Sequence, residues 1–121
     1  MKLFFALGSV FAALGVVLGA FGAHALREAL TPEDLATFEV GVRYQMYHAL
    51  GLFAVAWAST QWEAATVSGA GWAFVLGIVV FSGSLYALVL TGQRWLGAIT
   101  PIGGVAFIVG WALLAWTALR A

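Results

Sequence analysis

The chain lacks cysteine altogether, has only two prolines, and carries charge on only 8% of its 121 residues. Each shortage excludes something. Without cysteine there is no disulfide, no thiolate metal site and no cysteine nucleophile. A soluble domain is roughly 25% charged, so a chain this poor in charge is not one. Its five basic and five acidic residues cancel. With no basic tract to meet a phosphate backbone, nucleic acid is excluded as a partner.

What fills the chain is apolar: 64% of residues are hydrophobic, and the mean hydropathy is +1.02. A helix crossing a bilayer needs about 20 largely apolar residues, so four crossings use roughly 80. The remainder suffices for short loops but not for a soluble domain. The expected fold is therefore an all-α membrane protein, one four-helix transmembrane bundle over residues 1–121. Its spans are placed at about 2–25, 39–60, 71–91 and 101–119, with an interfacial extension at the start of the second helix. The lipid bilayer is the first partner this implies.

Met1-Lys2, a long apolar run and Ala23-His24-Ala25 together imitate a cleavable signal peptide. The apolar run from Leu3 to Ala23 is longer than the roughly 7–15 residues of a signal core and long enough to span. It is read as a retained first helix. Small residues recur along it at Gly8, Ala12, Gly15, Gly19 and Gly22, in steps that keep them on one face. In lipid, helices associate where small residues let backbones approach. The stripe is expected to pack inside the chain, with a seam between copies as the competing reading.

Thr31-Pro32-Glu33-Asp34 marks the next helix start. Thr31 is a good N-cap, proline suits the first helical position, and the acids complement the helix's positive end. The helix is expected to run unbroken to about residue 60. A polar turn over Gln61–Ser68 separates it from the third span. Thr100-Pro101 repeats the cap-plus-proline pattern. Gly83, Gly103, Gly104 and Gly110 are assigned to close helix packing. Trp57, Trp62, Trp72 and Trp116 fall near one set of span ends and Trp95 near the other, as in aromatic belts.

The termini and the Gln61–Ser68 turn share one membrane side, here side A; the loops near Arg27 and Arg94 share side B. Nearly every polar side chain of interest maps to the side-B half. The candidate polar pocket comprises His24, Glu39, Arg43, Tyr44, Gln45, Tyr47, His48, Ser82, Ser84, Tyr86 and Thr100. The side-A half reads as apolar and small. Glu39 and Arg43 are four apart with the acid first, the favourable order for a helical ion pair. An arginine in the bilayer must pair or reach the interface, so that pair is expected, with an anion- or headgroup-binding role for Arg43 as the alternative. His48, one turn deeper, is expected to be neutral and bonded to a hydroxyl or a backbone carbonyl. Proton handling is its alternative role. His24 and His48 differ in height, which argues against paired haem ligands, and no metal-binding spacing exists. No nucleophile carries hydrolase flanking residues. The sequence therefore predicts no catalytic residue, metal or cofactor.

Four stretches carry a family resemblance. They are Gly19-Ala20-Phe21-Gly22-Ala23-His24-Ala25-Leu26; Tyr44-Gln45 with Tyr47-His48-Ala49-Leu50; Phe81-Ser82-Gly83-Ser84-Leu85-Tyr86 followed by Thr91-Gly92; and Thr100-Pro101-Ile102-Gly103-Gly104 with Gly110-Trp111. Together, in order and across the chain, they resemble domain-of-unknown-function family 423. This group includes bacterial inner-membrane proteins and the eukaryotic transmembrane protein 256 relatives. The resemblance implies a four-helix integral membrane protein and no particular activity. Two functional readings follow. One is a non-enzymatic protein acting by association, as a homo-oligomer or as an accessory subunit of a larger membrane complex. The other is a carrier or channel for a small solute, ion or proton, using the Arg43 and His48 pocket. With Arg43 taken as partly inside the membrane and not as a loop charge, Lys2, Arg120 and the terminal amine outweigh Arg27 and Arg94, which is read as placing both termini in the cytoplasm.

Overall fold

A computed structural model describes residues 2–121. Helix α1 spans Lys2–His24 and α2 spans Pro32–Gln61. Next come α3 (Ala65–Gly77), a π-helical turn (Ile78–Ser82) and α4 (Gly83–Thr91). A 3₁₀ turn over Arg94–Ala98 leads into α5, Thr100–Arg120. α3, the π turn and α4 form one continuous rod of 27 residues. The described residues are all helix and connection, with no strand.

Three segments are long and apolar enough to cross a membrane: Lys2–His24, Ala65–Thr91 and Arg94–Arg120. The second helix is not among them, because Gln45 and His48 interrupt its apolar run and charges fill its first turns. It does run unbroken for 30 residues, about 45 Å at 1.5 Å per residue. Its start forms as the sequence implies. Thr31 Oγ1 accepts the Asp34 backbone N–H at 3.1 Å, and Pro32 occupies the first position, where a missing N–H costs nothing.

Two boundaries differ from expectation. The turn after α2 is only Trp62–Ala64, so the third rod begins at Ala65 rather than near 71. Thr100 does not cap α5. The 3₁₀ turn feeds directly into that helix through a helical Ile99, leaving no extended residue from which a side chain could fold back. The Thr100 hydroxyl bonds to Ser84 and the Leu96 carbonyl instead. Gly92 closes α4 with φ +74°, a left-handed conformation that glycine adopts without a Cβ clash.

α1 and α2, α2 and the third rod, and the third rod and α5 pack antiparallel, and glycines mark the contacts. Along α1, Gly22 lies on Phe38, Gly19 faces Val42, Gly15 lies on Met46 and Gly8 approaches Leu52. A methyl group on Gly8 would sit 2.9 Å from the Ala49 carbonyl oxygen. The α1 stripe, including Gly15 and Gly19, is thus spent against α2 of the same chain; Ala12 beside it is half-buried. On α5, Gly103 abuts the Phe81 backbone and Gly110 lies under Phe74, while Phe107 covers Gly77 of the third rod. Two assigned packing positions do not fit that role. Space around Gly83 is open to 4 Å, and Gly104 has only the Phe81 ring at ordinary contact distance, 3.8 Å.

The core has two parts. Phe4, Leu52, Val55, Val67, Phe74, Ile78 and Phe107 fill the middle and side A. Leu26, Phe38, Leu88 and Val89 close side B, with Leu26 of the first loop packed inward as a lid.

Candidate functional site

The polar residues of α2 face two different neighbours. Gln45 is buried between α1 and the third rod. Its amide nitrogen donates to the Phe11 carbonyl of α1 at 2.8 Å, and its amide oxygen accepts the Tyr86 hydroxyl proton at 2.7 Å. Gly15, one turn on, lets α2 approach here: a Cβ there would run into the Met46 side chain next to Gln45. Close by, the buried Ser82 hydroxyl donates to the Gly41 carbonyl at 2.6 Å. The π turn places Ser82 toward α2 and Phe81 toward α5. Ser84, two residues on, meets Thr100.

His48 is buried on the α5 side. The Trp111 indole N–H donates to His48 Nε2 at 3.0 Å. Nε2 therefore carries no proton, and Nδ1–H donates to the Tyr44 carbonyl at 2.8 Å. The imidazole lies flat on Phe107, with centroids 3.5 Å apart and planes at 7°, and meets Phe74 edge-on. Both nitrogens are engaged and both faces are walled, so the ring is neutral and held in place. Beside it lies an open aromatic cleft of about 450 Å³, lined by Tyr44, His48, Phe81, Phe107 and Trp111 among others.

The remaining expected members stand apart. His24, Glu39, Arg43 and Tyr47 are exposed, and Tyr44 is partly so, its ring against Phe81 and Tyr47. Glu39 and Arg43 do not pair. The ion pair among the described residues joins Arg94 and Asp34 at 3.0 Å, with a second N–H donated at 3.2 Å. The 3₁₀ turn brings the Arg94 guanidinium to the first turn of α2, where two N–H groups meet both Asp34 oxygens; Glu39 and Arg43 stay exposed, where a single pair gains little. Hydrogen bonding to Arg94 holds the Asp34 carboxyl below the usual carboxylate range. Among the described residues, no three histidine, aspartate or glutamate side chains converge as metal ligands, and no buried side-chain polar atom lacks a partner.

Sequence reasoning missed Trp111, although a tryptophan in mid-span needs an acceptor for its N–H, and that was a usable signal. It also missed a Thr66–Thr117 hydroxyl pair that ties α3 to α5 in the side-A half. Two threonines 51 residues apart carry no pairwise signal in one sequence.

The fold and this site define an all-helical membrane protein whose interior polar groups tie its helices to one another. The chain belongs to the family described as "Protein of unknown function (DUF423)", which matches residues 18–104. Relatives span nearly its whole length. The UPF0382 membrane protein YwdK of Bacillus subtilis is 49% identical over 121 residues, covering 99% of this chain and 98% of its own. The UPF0382 membrane protein SSP2132 of Staphylococcus saprophyticus is 51% identical over 114 residues, 94% of each chain. A UPF0382 membrane protein of Staphylococcus epidermidis is 48% identical over 120 residues, 99% of this chain and 98% of its own. No solved structure matches.

Proposed function

We propose that the protein is a four-span bundle of the bacterial cytoplasmic (inner) membrane, with no catalytic role, that acts by association with copies of itself or with other membrane proteins. The observation that carries this reading is the internal use of the polar groups. Gln45, His48, Ser82, Ser84 and Tyr86 are all bonded within the bundle. Groups so engaged serve poorly as a base, a nucleophile or a proton relay, and this ranks a carrier based on His48 second. The fourth crossing is α2, because it lies antiparallel to α1 from Gly22 and Phe38 down to Gly8 and Leu52. A helix packed along the full length of a spanning helix shares its depth.

Since the α1 glycine stripe is spent internally, association must use outward faces. Ala6, Ala13 and Ala20 of α1 are exposed and seven apart, a row of small residues suited to close approach. The test is mass measurement after gentle detergent extraction. A mass above the monomer that Ala13→Leu reduces supports association through α1. A strict monomer with no co-purifying partner counts against the reading.

A further inference from the structure

We propose that the outward stripe of α2 binds a zwitterionic phospholipid of the ethanolamine type, with Arg43 on its phosphate and Glu39 on its ammonium group. The inference rests on α2 crossing the bilayer. Glu39, Arg43, Tyr47, Leu50, Ala54 and Trp57 recur at helical spacing and are all exposed; Tyr47, Leu50 and Trp57 keep 53%, 57% and 59% of their surface. The α1 contacts, through Phe38, Val42 and Met46, lie on the adjacent face and leave this stripe uncovered. The stripe therefore faces lipid.

Its chemistry follows the order of a phospholipid from water inward. Glu39 lies nearest the side-B start of α2. Arg43 is one turn deeper, about 6 Å along the axis. Its depth is marked by neighbouring Gly41, whose carbonyl Ser82 bonds, close to the level where Ser84 meets Thr100 at the start of α5. Tyr47 follows, an amphipathic ring of the kind found at headgroup level. Leu50, Ala54 and Trp57 then offer an apolar track. An ethanolamine headgroup presents ammonium outermost, phosphate beneath it and acyl chains below. The acid and base of the stripe are stacked in that order.

Glu39 and Arg43 have the spacing and direction of a favourable helical pair yet form no ion pair with each other, while Asp34 and Arg94 do. Both are thus open to an outside partner. An anionic glycerol headgroup would satisfy Arg43 with its phosphate but bring no cation to Glu39, leaving that carboxylate unpaired beside a second negative charge. The carboxylate is what selects against it.

The test is native mass spectrometry of the purified full chain in detergent with an equimolar mixture of phosphatidylethanolamine and phosphatidylglycerol. The expected result is a several-fold excess of the ethanolamine adduct. Arg43→Gln should lower that adduct roughly tenfold, as for loss of a charge-assisted contact, while Arg43→Lys retains it. Glu39→Gln should remove the preference between the two lipids. Phosphatidylglycerol bound as well as the ethanolamine lipid, an adduct unchanged in Arg43→Gln, or a preference that survives Glu39→Gln overturns the proposal. Both residues are exposed and without ion partners, so equal helicity across the variants is expected and separates lost binding from lost fold. If α2 did not cross the membrane, fusions at the two termini would report it independently.

Discussion

Gln45 joins three helices with one amide; its removal takes the acceptor from the Tyr86 hydroxyl and leaves the Phe11 carbonyl with only its intrahelical bond. Interhelical bonds in lipid average about 0.6 kcal/mol each, and an orphaned buried group costs about 1–3 kcal/mol. Gln45→Leu is therefore expected to cost about 1–2 kcal/mol, read as a lower thermal midpoint in detergent. Tyr86→Phe, which breaks only one of the two bonds, should cost less; a Tyr86→Phe loss equal to that of Gln45→Leu would contradict the account. Glycines give a second comparison. A methyl on Gly103 would meet the Phe81 backbone, with its Cα only 2.8 Å away, and backbone cannot step aside. Gly103→Ala should cost about 1–3 kcal/mol by overpacking. Gly83 faces open space at the start of α4, so Gly83→Ala should be neutral or stabilise by up to about 1 kcal/mol, measured in the same unfolding assay. Both glycines read alike in the sequence. Nothing local tells a glycine under a neighbouring backbone from one beside a cleft.

At the scale of elements, the link between the first turn of α2 and the 3₁₀ turn is electrostatic and pH-dependent. The Asp34 carboxyl is depressed in the folded protein by its hydrogen bonds from Arg94. A depressed acid contributes stability above its unfolded pKa of about 3.9, and that contribution is lost as pH falls through the lower folded value. Acidification below about pH 4 should therefore loosen this link. Hydrogen exchange at the start of α2 and over Arg94–Ala98 should rise there in the native chain, and Arg94→Gln should show the faster exchange already at neutral pH. Pairing at an exposed site is weak and screened by salt, so the effect should shrink as ionic strength rises. The start of α2 was legible from Thr31-Pro32, because a cap is a local interaction. The π turn over Ile78–Ser82 was not legible, because a single added residue within an apolar run leaves no trace in composition.

For the whole molecule, crossing number fixes the relation of the termini. Four crossings place both on the same side; three, the count that hydropathy alone supports, place them on opposite sides. Matched reporter fusions at the two termini should report the same compartment, and opposite compartments would remove α2 from the membrane. Single cysteines placed at Ala64 and Gln93 should react from opposite faces, with no background in a cysteine-free chain. The membrane class, the helix order and the α1 glycine stripe were present in the sequence. They follow from hydropathy, caps and periodicity, which act over a turn or over the length of one span. Which polar groups meet was decided only by tertiary structure. Gln45 and His48 are three residues apart on α2, yet they bond to α1 and α5 respectively. Asp34 found its partner 60 residues away in Arg94, rather than the neighbouring Glu39 finding Arg43. In a bilayer each buried polar group takes the nearest partner that packing delivers, and that partner is set by how closely the glycine faces let the helices approach.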